Sequence, residues 1–162
     1  MRILFFTIIL FAAGSTFSQT LKTTFSNSWD RWEFGGKTFR TTFSNDYGSW
    51  DCNSTRLKTT FSNDWDQWSV GSSTTLKTTF ANEFGQWEVR SGGKTVYVRT
   101  TFSGKFDRWE VTGDASGVMK TTFSDNYDRW EINVDFKQLP EDMRTAILFI
   151  PIYTSFSVNL KK

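Results

Sequence analysis

Few side chains in this sequence of 162 residues are suited to acid–base or nucleophilic chemistry. Histidine is absent and cysteine occurs once, at Cys52, which removes the commonest general base and excludes a disulfide framework or a Cys-based zinc site. Hydrolysis by a carboxylate pair such as Asp30 and Glu33 is the main option that remains. The same positions recur as Asp66/Ser69, Asp107/Glu110 and Asp128/Glu131. An active site is normally assembled once from unlike residues, so we predict no enzyme and no catalytic residues.

Oxygen-bearing side chains cluster in two places, at Asn63, Asp64 and Asp66 and again at 125–128. Hard cations such as Ca²⁺ require several oxygen ligands. However, the fifth copy of the same segment offers only Asp107, and Asn and Asp are also common turn residues. We therefore predict no metal site and no cofactor.

The aromatic residues suggest a binding function. The chain has 8 Trp, 17 Phe and 4 Tyr, and one variable aromatic position recurs six times beside a polar side chain that can form hydrogen bonds. An aromatic plate next to such a group suits sugar rings, and six weak copies act together through avidity. The candidate aromatics are Trp29, Tyr47, Trp65, Phe84, Phe106 and Tyr127. Their polar neighbours are Arg31, Ser49, Gln67, Gln86, Arg108 and Arg129.

The expected partner is thus a polymeric glycan, in an adhesive or surface-structural protein. Aromatics that only pair across neighbouring hairpins would explain the same residues without a ligand. Self-assembly into a matrix or fibre is the alternative function, driven by sheet edges. A small outer-membrane barrel fits less well, because spanning strands need about 9–11 residues. The net charge of +2 is too balanced to indicate nucleic acid or an anionic membrane.

These residues belong to a unit of 13 residues that occurs six times, which predicts a repeat architecture. Each unit has the pattern of KTTFSNDWDQWSV, with no gain or loss of a residue. The variable stretches between units are rich in Gly and Ser, as expected for loops. The units span residues 22–34, 40–52, 58–70, 77–89, 99–111 and 120–132.

Each unit is predicted to form a β-hairpin, because Thr, Phe, Trp and Val favour strands and the unit centre holds a polar pair suited to a two-residue turn. In the third unit this turn, Asn63-Asp64, places Lys58 opposite Ser69 and Thr59 opposite Trp68. The same register gives opposite charges across the hairpin in the other five units, as cross-strand pairing favours. The pairs are Lys22–Glu33, Arg40–Asp51, Lys77–Glu88, Arg99–Glu110 and Lys120–Glu131.

Strand alternation divides each hairpin into two faces. One face carries the Phe of the TTF sequence, the fixed Trp and the final apolar residue, and is predicted to form the core. Cys52 takes that final position in its unit and should be buried. The other face carries the charge pair and the variable aromatics and should meet solvent. The predicted core aromatics are Phe25, Phe43, Phe61, Phe80, Phe102 and Phe123, with Trp32, Trp50, Trp68, Trp87, Trp109 and Trp130.

The two ends of the chain differ from the repeats. Residues 1–19 have one basic residue, an apolar stretch and small residues before a cleavage site, the pattern of a signal peptide. We therefore expect an exported protein, at the cell surface, in the periplasm or outside the cell. Residues 135–162 are predicted to form a capping segment. A helix should start near Pro140 and end or kink at Pro151, and the alternation from Ile152 to Leu160 predicts a strand.

The predicted fold class is all-β: an antiparallel meander of six hairpins over residues 20–134, with a helix and strand as the cap. A curled sheet, a barrel and a stack of hairpins all satisfy this pattern. The array resembles choline-binding repeats in hairpin length and Trp content. It lacks their Gly-Trp and Trp-Tyr-Tyr sequences, so the resemblance implies no function or site.

Overall fold

A computed structural model describes residues 19–160 except positions 27, 45, 63 and 137. The predicted signal peptide, 1–19, therefore lies almost wholly outside the described residues. The described residues form twelve antiparallel strands and one helix, α1 (Glu141–Leu160). The strands are β1 (Gln19–Thr23), β2 (Arg31–Phe34), β3 (Lys37–Thr41), β4 (Ser49–Cys52), β5 (Thr55–Thr59), β6 (Gln67–Val70), β7 (Thr74–Thr78), β8 (Gln86–Ser91), β9 (Lys94–Thr100), β10 (Arg108–Gly113), β11 (Ser116–Phe123) and β12 (Asn126–Asp135).

Each strand pairs with the next one along the chain, and β1 also pairs with β12, so the sheet closes into a barrel. The prediction of an antiparallel hairpin meander is confirmed, and of the three arrangements that satisfied the pattern the chain adopts the barrel. Closure leaves no free sheet edge. It thereby removes the edge-to-edge pairing on which the self-assembly hypothesis depended.

The predicted hairpin register is confirmed. Lys58 lies opposite Ser69 and Thr59 opposite Trp68. The five opposite-charge pairs are also register partners. Three of them form ion pairs on the outer wall, with N–O distances of 3.5 Å in Lys77–Glu88, 3.3 Å in Arg99–Glu110 and 3.1 Å in Lys120–Glu131.

Three inward positions per hairpin build the barrel interior. The fixed Trp and the apolar residue two positions after it were both predicted to be buried, and both are, including Cys52. The third position, just before the basic residue of each unit, was not recognised from the repeat. Its occupants are Leu21, Phe39, Leu57, Leu76, Val98 and Met119, all buried.

Helix α1 lies inside the barrel. Every residue from Thr145 to Phe156 is buried, so the helix is covered on all sides, as an all-round apolar helix must be. Phe149 packs edge-on against Trp50 and Trp68, with ring centroids 5.5 and 4.8 Å apart. On β12, the Trp130 indole N–H donates to the Ser155 hydroxyl at 3.0 Å.

The expected strand after Pro151 is wrong, because the helix continues through this proline to Leu160. The polar residues that alternate with apolar ones after Pro151 are buried too, as Thr154 and Ser155 show. The Thr154 and Ser155 hydroxyls donate to the carbonyls of Ile150 and Pro151, so polar groups are satisfied within the helix itself. The predicted helix start is confirmed. The C-terminal segment covers the apolar face of the sheet, as a cap would, but it does so from inside the barrel.

The charge pairs lie on the outer wall of the barrel, and the fixed Trp residues face α1 in its interior. Of the described residues, none belongs to a helix with the length and hydropathy needed to cross a bilayer.

Candidate binding surface at the hairpin tips

The six hairpin tips lie at one end of the barrel, because each joins an odd-numbered strand to the following even-numbered strand. In the third unit the Asp64 N–H donates to the Phe61 carbonyl at 3.1 Å, closing a turn, and the first, second, fourth and fifth tips form the same bond. The sixth tip is tighter, since Phe123 pairs with Asn126. The tips comprise residues 25–30, 43–48, 61–66, 80–85, 102–107 and 123–128.

The turns lie one residue earlier than the predicted polar pairs, because the bond from the Glu83 N–H to the Phe80 carbonyl makes residues 81 and 82 the central pair. The first residue of each predicted pair still has the expected conformation where it is described. Asn82, Gly104 and Asp125 have positive φ angles of 60°, 74° and 58°, a conformation that Asn, Asp and Gly tolerate. The corresponding Asn27, Asn45 and Asn63 lie outside the described residues.

The variable aromatics close the mouth of the barrel. We call Trp29, Tyr47, Trp65, Phe84, Phe106 and Tyr127 the mouth aromatics. All six are partly buried against the core, and each lies about 6 Å from the fixed Trp of its own unit. In five units that Trp donates its indole N–H to the backbone carbonyl of the mouth aromatic, as Trp68 does to Trp65 at 3.1 Å.

The C-terminal half of α1 meets the mouth aromatics from inside. Tyr153 lies 5.4 Å from Phe84, and Phe156 lies 5.0 Å from Tyr47. The prediction that these aromatics are fully on a solvent face is therefore wrong. Because strand pairing ends before the tip, the aromatic can fold over the barrel mouth instead of following the alternation of the strand.

The six TTF phenylalanines, predicted to be core, are instead exposed. Phe25, Phe43, Phe61, Phe80, Phe102 and Phe123, which we call the Phe crown, expose 58–67% of their surface. In the first five units the strand ends two residues before the Phe, and in the sixth a register shift falls between Thr121 and Phe123. The backbone of each Phe shapes the tip while its ring faces solvent. Apart from the crown, Tyr97 is the only large hydrophobic side chain exposed among the described residues.

The predicted site residues are thus divided between two surfaces. The mouth aromatics pack inward, whereas Arg31, Gln86, Arg108 and Arg129 are exposed on the outer wall, and Ser49 and Gln67 are half-buried there. The structure does not bring each aromatic and its polar neighbour together as one plate. Sequence reasoning missed the crown, although Ser-Asn directly after TTF is a turn signal that argues against a strand continuing through the Phe.

The tips carry a strong negative charge. They hold eight carboxylates against one ammonium group, a net charge of −7. The acids are Asp30, Asp46, Asp64, Asp66, Glu83, Asp107, Asp125 and Asp128, and the base is Lys105. The other basic residues of the repeats lie on the strands, outside the tips.

Titratable groups near the site show what chemistry it can support. Burial, with a smaller contribution from Asp30, raises the pKa of the Tyr47 phenol. Burial, followed by Asp107 and Asp125, does the same for the pKa of Tyr127. Burial raises the pKa of the Cys52 thiol to about 11, so this thiol stays protonated and is a poor nucleophile at neutral pH. Within the described part of the chain, no three His, Cys, Asp or Glu side chains are placed to hold a metal ion.

Comparison of this chain with protein families, curated proteins and solved structures finds no match. The fold and the site define the class on their own: a closed antiparallel barrel of twelve strands, filled by its C-terminal helix, with aromatic, acidic tips at one end.

Proposed function

We propose that this chain is an exported, non-enzymatic protein that binds a polymeric glycan through its hairpin tips. The observation that carries the proposal is the Phe crown. Six large apolar side chains are exposed at equivalent positions of six repeats. Their repetition at one end of the barrel supports an interaction surface there, and the C–H faces of sugar rings pack against aromatic rings.

Packing inside the barrel explains the other two sets of repeated aromatic residues. The fixed Trp residues surround α1, and the mouth aromatics cover its C-terminal half. The crown is the aromatic set for which packing supplies no explanation. The export part of the proposal depends on the signal-peptide pattern of residues 1–19, and the non-enzymatic part on the absence of His and of a nucleophile–base pair.

The repeats favour a polymer over a single small ligand. Six weak contacts presented on one rigid end of a barrel gain affinity together when the ligand repeats as well. We expect single-site dissociation constants of about a millimolar, and binding to the polymer at least about 100-fold tighter.

The test is retention on a panel of soluble polysaccharides by affinity electrophoresis. Wild type should be retarded by at least one polysaccharide, and a variant with all six crown residues changed to Ser should not. Tyr97→Ser is the matched control, because it removes an exposed aromatic from the outer wall of β9 instead of the tips. Retardation of the six-Ser variant equal to that of wild type would refute a role of the crown.

Self-assembly into a matrix or fibre is the second candidate, favoured by the same exposed Phe residues. Because the barrel has no free edge, assembly would have to use the crown. Light scattering across a concentration series distinguishes the two functions. A wild-type protein that stays monomeric excludes assembly, whereas oligomers that the six-Ser variant no longer forms would support it.

A further inference from the structure

The third tip is joined to the fourth unit by a carboxylate. The carboxylate of Asp66, at the last position of the third tip, accepts hydrogen bonds from the backbone N–H of Asn82 at 3.0 and 3.1 Å and from the Thr78 hydroxyl at 3.1 Å. Both donors belong to the fourth unit. The backbones are joined as well, since the Thr78 N–H donates to the Asp66 carbonyl at 2.8 Å. A backbone amide and a Thr hydroxyl of one unit thus hold oxygen atoms supplied by the previous tip.

Two of the six tips have glycine where the others have Asp, at Gly48 and Gly85. The backbone joint is kept, with the N–H groups of Thr59 and Thr100 donating to the Gly48 and Gly85 carbonyls at 3.0 and 2.9 Å. The joining carboxylate is missing. Among the described residues, no side chain from the neighbouring tip reaches the Thr59 or Thr100 hydroxyl.

Backbone geometry does not require glycine at either position, because neither has a positive φ angle. A Cβ at Gly48 would lie 3.6 Å from the Thr59 Oγ1 and 3.2 Å from Asp46 Oδ1, and one at Gly85 would lie 3.4 Å from the Thr100 Oγ1. Glycine leaves the junction between the tips open, because an Asp side chain at the same position would reach into it.

Grooves lie at these two junctions. The groove at Gly48 has a volume of about 650 Å³ and the groove at Gly85 about 420 Å³, within the range of small-molecule sites. Most lining positions are equivalent in the two grooves, and the crown residue Phe43 also lines the first. The first is lined by Asp46, Tyr47, Ser49, Lys58, Ser62 and Trp65, and the second by Glu83, Phe84, Gln86, Arg99, Ser103 and Phe106.

The lining is that of a site for a ring bearing hydroxyl groups. Two aromatic side chains supply apolar surface, a carboxylate accepts hydrogen bonds, and a basic side chain and a Thr hydroxyl donate them. Lys58 is free for this role. Its cross-strand neighbours are Ser49 and Ser69, and Ser69 stands where the other units place an acid. Arg99, the counterpart of Lys58 in the second groove, pairs with Glu110 through one of its guanidinium nitrogens, so its other N–H groups remain for a ligand.

The charge of the tips selects a neutral ligand. A polyanionic glycan would meet eight carboxylates and one ammonium group on the tips, and like charges repel within the Debye length of about 8 Å at physiological ionic strength. Within each groove one acidic and one basic side chain face the ligand, so an uncharged sugar ring finds both hydrogen-bond acceptors and donors there.

We propose that the grooves at Gly48 and Gly85 are two equivalent sites, each for one pyranose ring of a neutral polysaccharide. The ring hydroxyls donate to Asp46 or Glu83 and accept from the Thr hydroxyl and from Lys58 or Arg99. This inference rests on the proposed glycan-binding function and identifies the sugar class and its place between the tips.

The chain itself supplies the test variants. Gly48→Asp and Gly85→Asp give the two tips the residue that the third tip carries at Asp66. There Asp64, two residues earlier, accepts a hydrogen bond from the Asp66 N–H, so an acid at that position is compatible with the Asp. The reciprocal variant, Asp66→Gly, opens the junction between the third and fourth units. Unchanged melting temperatures of the two Asp variants would show that the fold is kept.

Binding is measured by isothermal titration with hexasaccharides of glucose, mannose and galactose, and with oligogalacturonate as the charged probe. Wild type should bind a neutral hexasaccharide at two sites, and the double Asp variant at least tenfold more weakly. Asp66→Gly should bind at three sites. Oligogalacturonate should give no heat.

The outcomes separate the two proposals. If wild type binds none of the neutral sugars or the polysaccharides of the panel, the glycan function itself fails. If a neutral sugar binds wild type and the double Asp variant equally, the glycan function stands and the grooves are not the sites. Preference for oligogalacturonate would overturn the claim of a neutral ligand.

Discussion

The position of α1 inside the barrel makes the stability of this protein depend on Phe149 far more than on any crown residue. Phe149 is fully buried and packs against Trp50 and Trp68 at 5.5 and 4.8 Å. Its replacement by Ala removes a large apolar side chain from a site that closed strands surround, so the cavity cannot readily collapse. We expect a loss of about 3–5 kcal/mol in the free energy of unfolding.

Phe61→Ala is the matched control, since the same chemical change is made at a ring that is 67% exposed. Only about a third of a side chain with some 200 Å² of surface leaves water on folding, which limits the expected loss to about 1.7 kcal/mol. The expected cost of Phe149→Ala is thus about two to three times that of Phe61→Ala.

The assay is equilibrium urea unfolding followed by tryptophan fluorescence, with the slope m compared between variants to confirm two-state behaviour. At roughly 2–4 °C per kcal/mol for a domain of this size, Phe149→Ala should also melt about 10 °C below wild type. A loss below about 1 kcal/mol for Phe149→Ala, or equal losses for the two variants, would refute the placement of the helix within the barrel.

Two further predictions follow from buried polar groups. Trp68→Phe should lower the free energy of unfolding by about 1–2 kcal/mol more than Trp109→Phe does. The reason is that the Trp68 indole N–H donates to the Trp65 carbonyl, whereas the buried Trp109 indole N–H has no hydrogen-bond partner among the described residues. Urea unfolding of the two variants measures the difference, and equal losses would contradict the prediction. Burial raises the pKa of Cys52 from 9.0 to about 11, so the folded state retains the thiol proton longer than the unfolded state does. The stability linked to this proton is complete below about pH 9 and is lost as the pH rises through about 11, a fall of roughly 2–3 kcal/mol. Unfolding at pH 8 and pH 11 should show this fall in wild type relative to Cys52→Val, and parallel pH profiles would contradict it.

The hairpin register could be predicted from sequence because it depends on local pairing. A central turn and opposite charges at matched positions place Lys77 opposite Glu88 in only one alignment. The inward position of Trp68 and Cys52 follows from the same alternation. These features need no knowledge of how the hairpins meet one another.

The reversal of Phe61 and Trp65 could not be found in this way. Alternation holds only while the chain is a strand, and β5 ends at Thr59. Beyond that residue the turn from Phe61 to Asp64 decides the direction of each side chain. Trp65 then gains contact with Tyr153 and Phe156 of a helix more than 80 residues away, which no local pattern contains.

The continuation of α1 beyond Pro151 could not be predicted from sequence for a related reason. Pro151 and the alternation after it predict a break and a strand, but the closed barrel provides apolar surroundings on every side of the segment. Tertiary burial outweighs the local signals here. The grooves at Gly48 and Gly85 likewise depend on contacts between units, although the replacement of Asp by Gly is visible in the repeat itself.

The hairpin tips are the proposed ligand-binding surface of this protein. The most direct measurement is the map of amide chemical-shift changes in ¹⁵N-labelled protein titrated with a neutral hexasaccharide. We expect the changes to centre on the tip residues Gly48, Ser62 and Gly85 and on Thr59, which lines the groove at Gly48. Changes confined to the opposite end of the barrel, around Gly71 and Gly92, would contradict the claim.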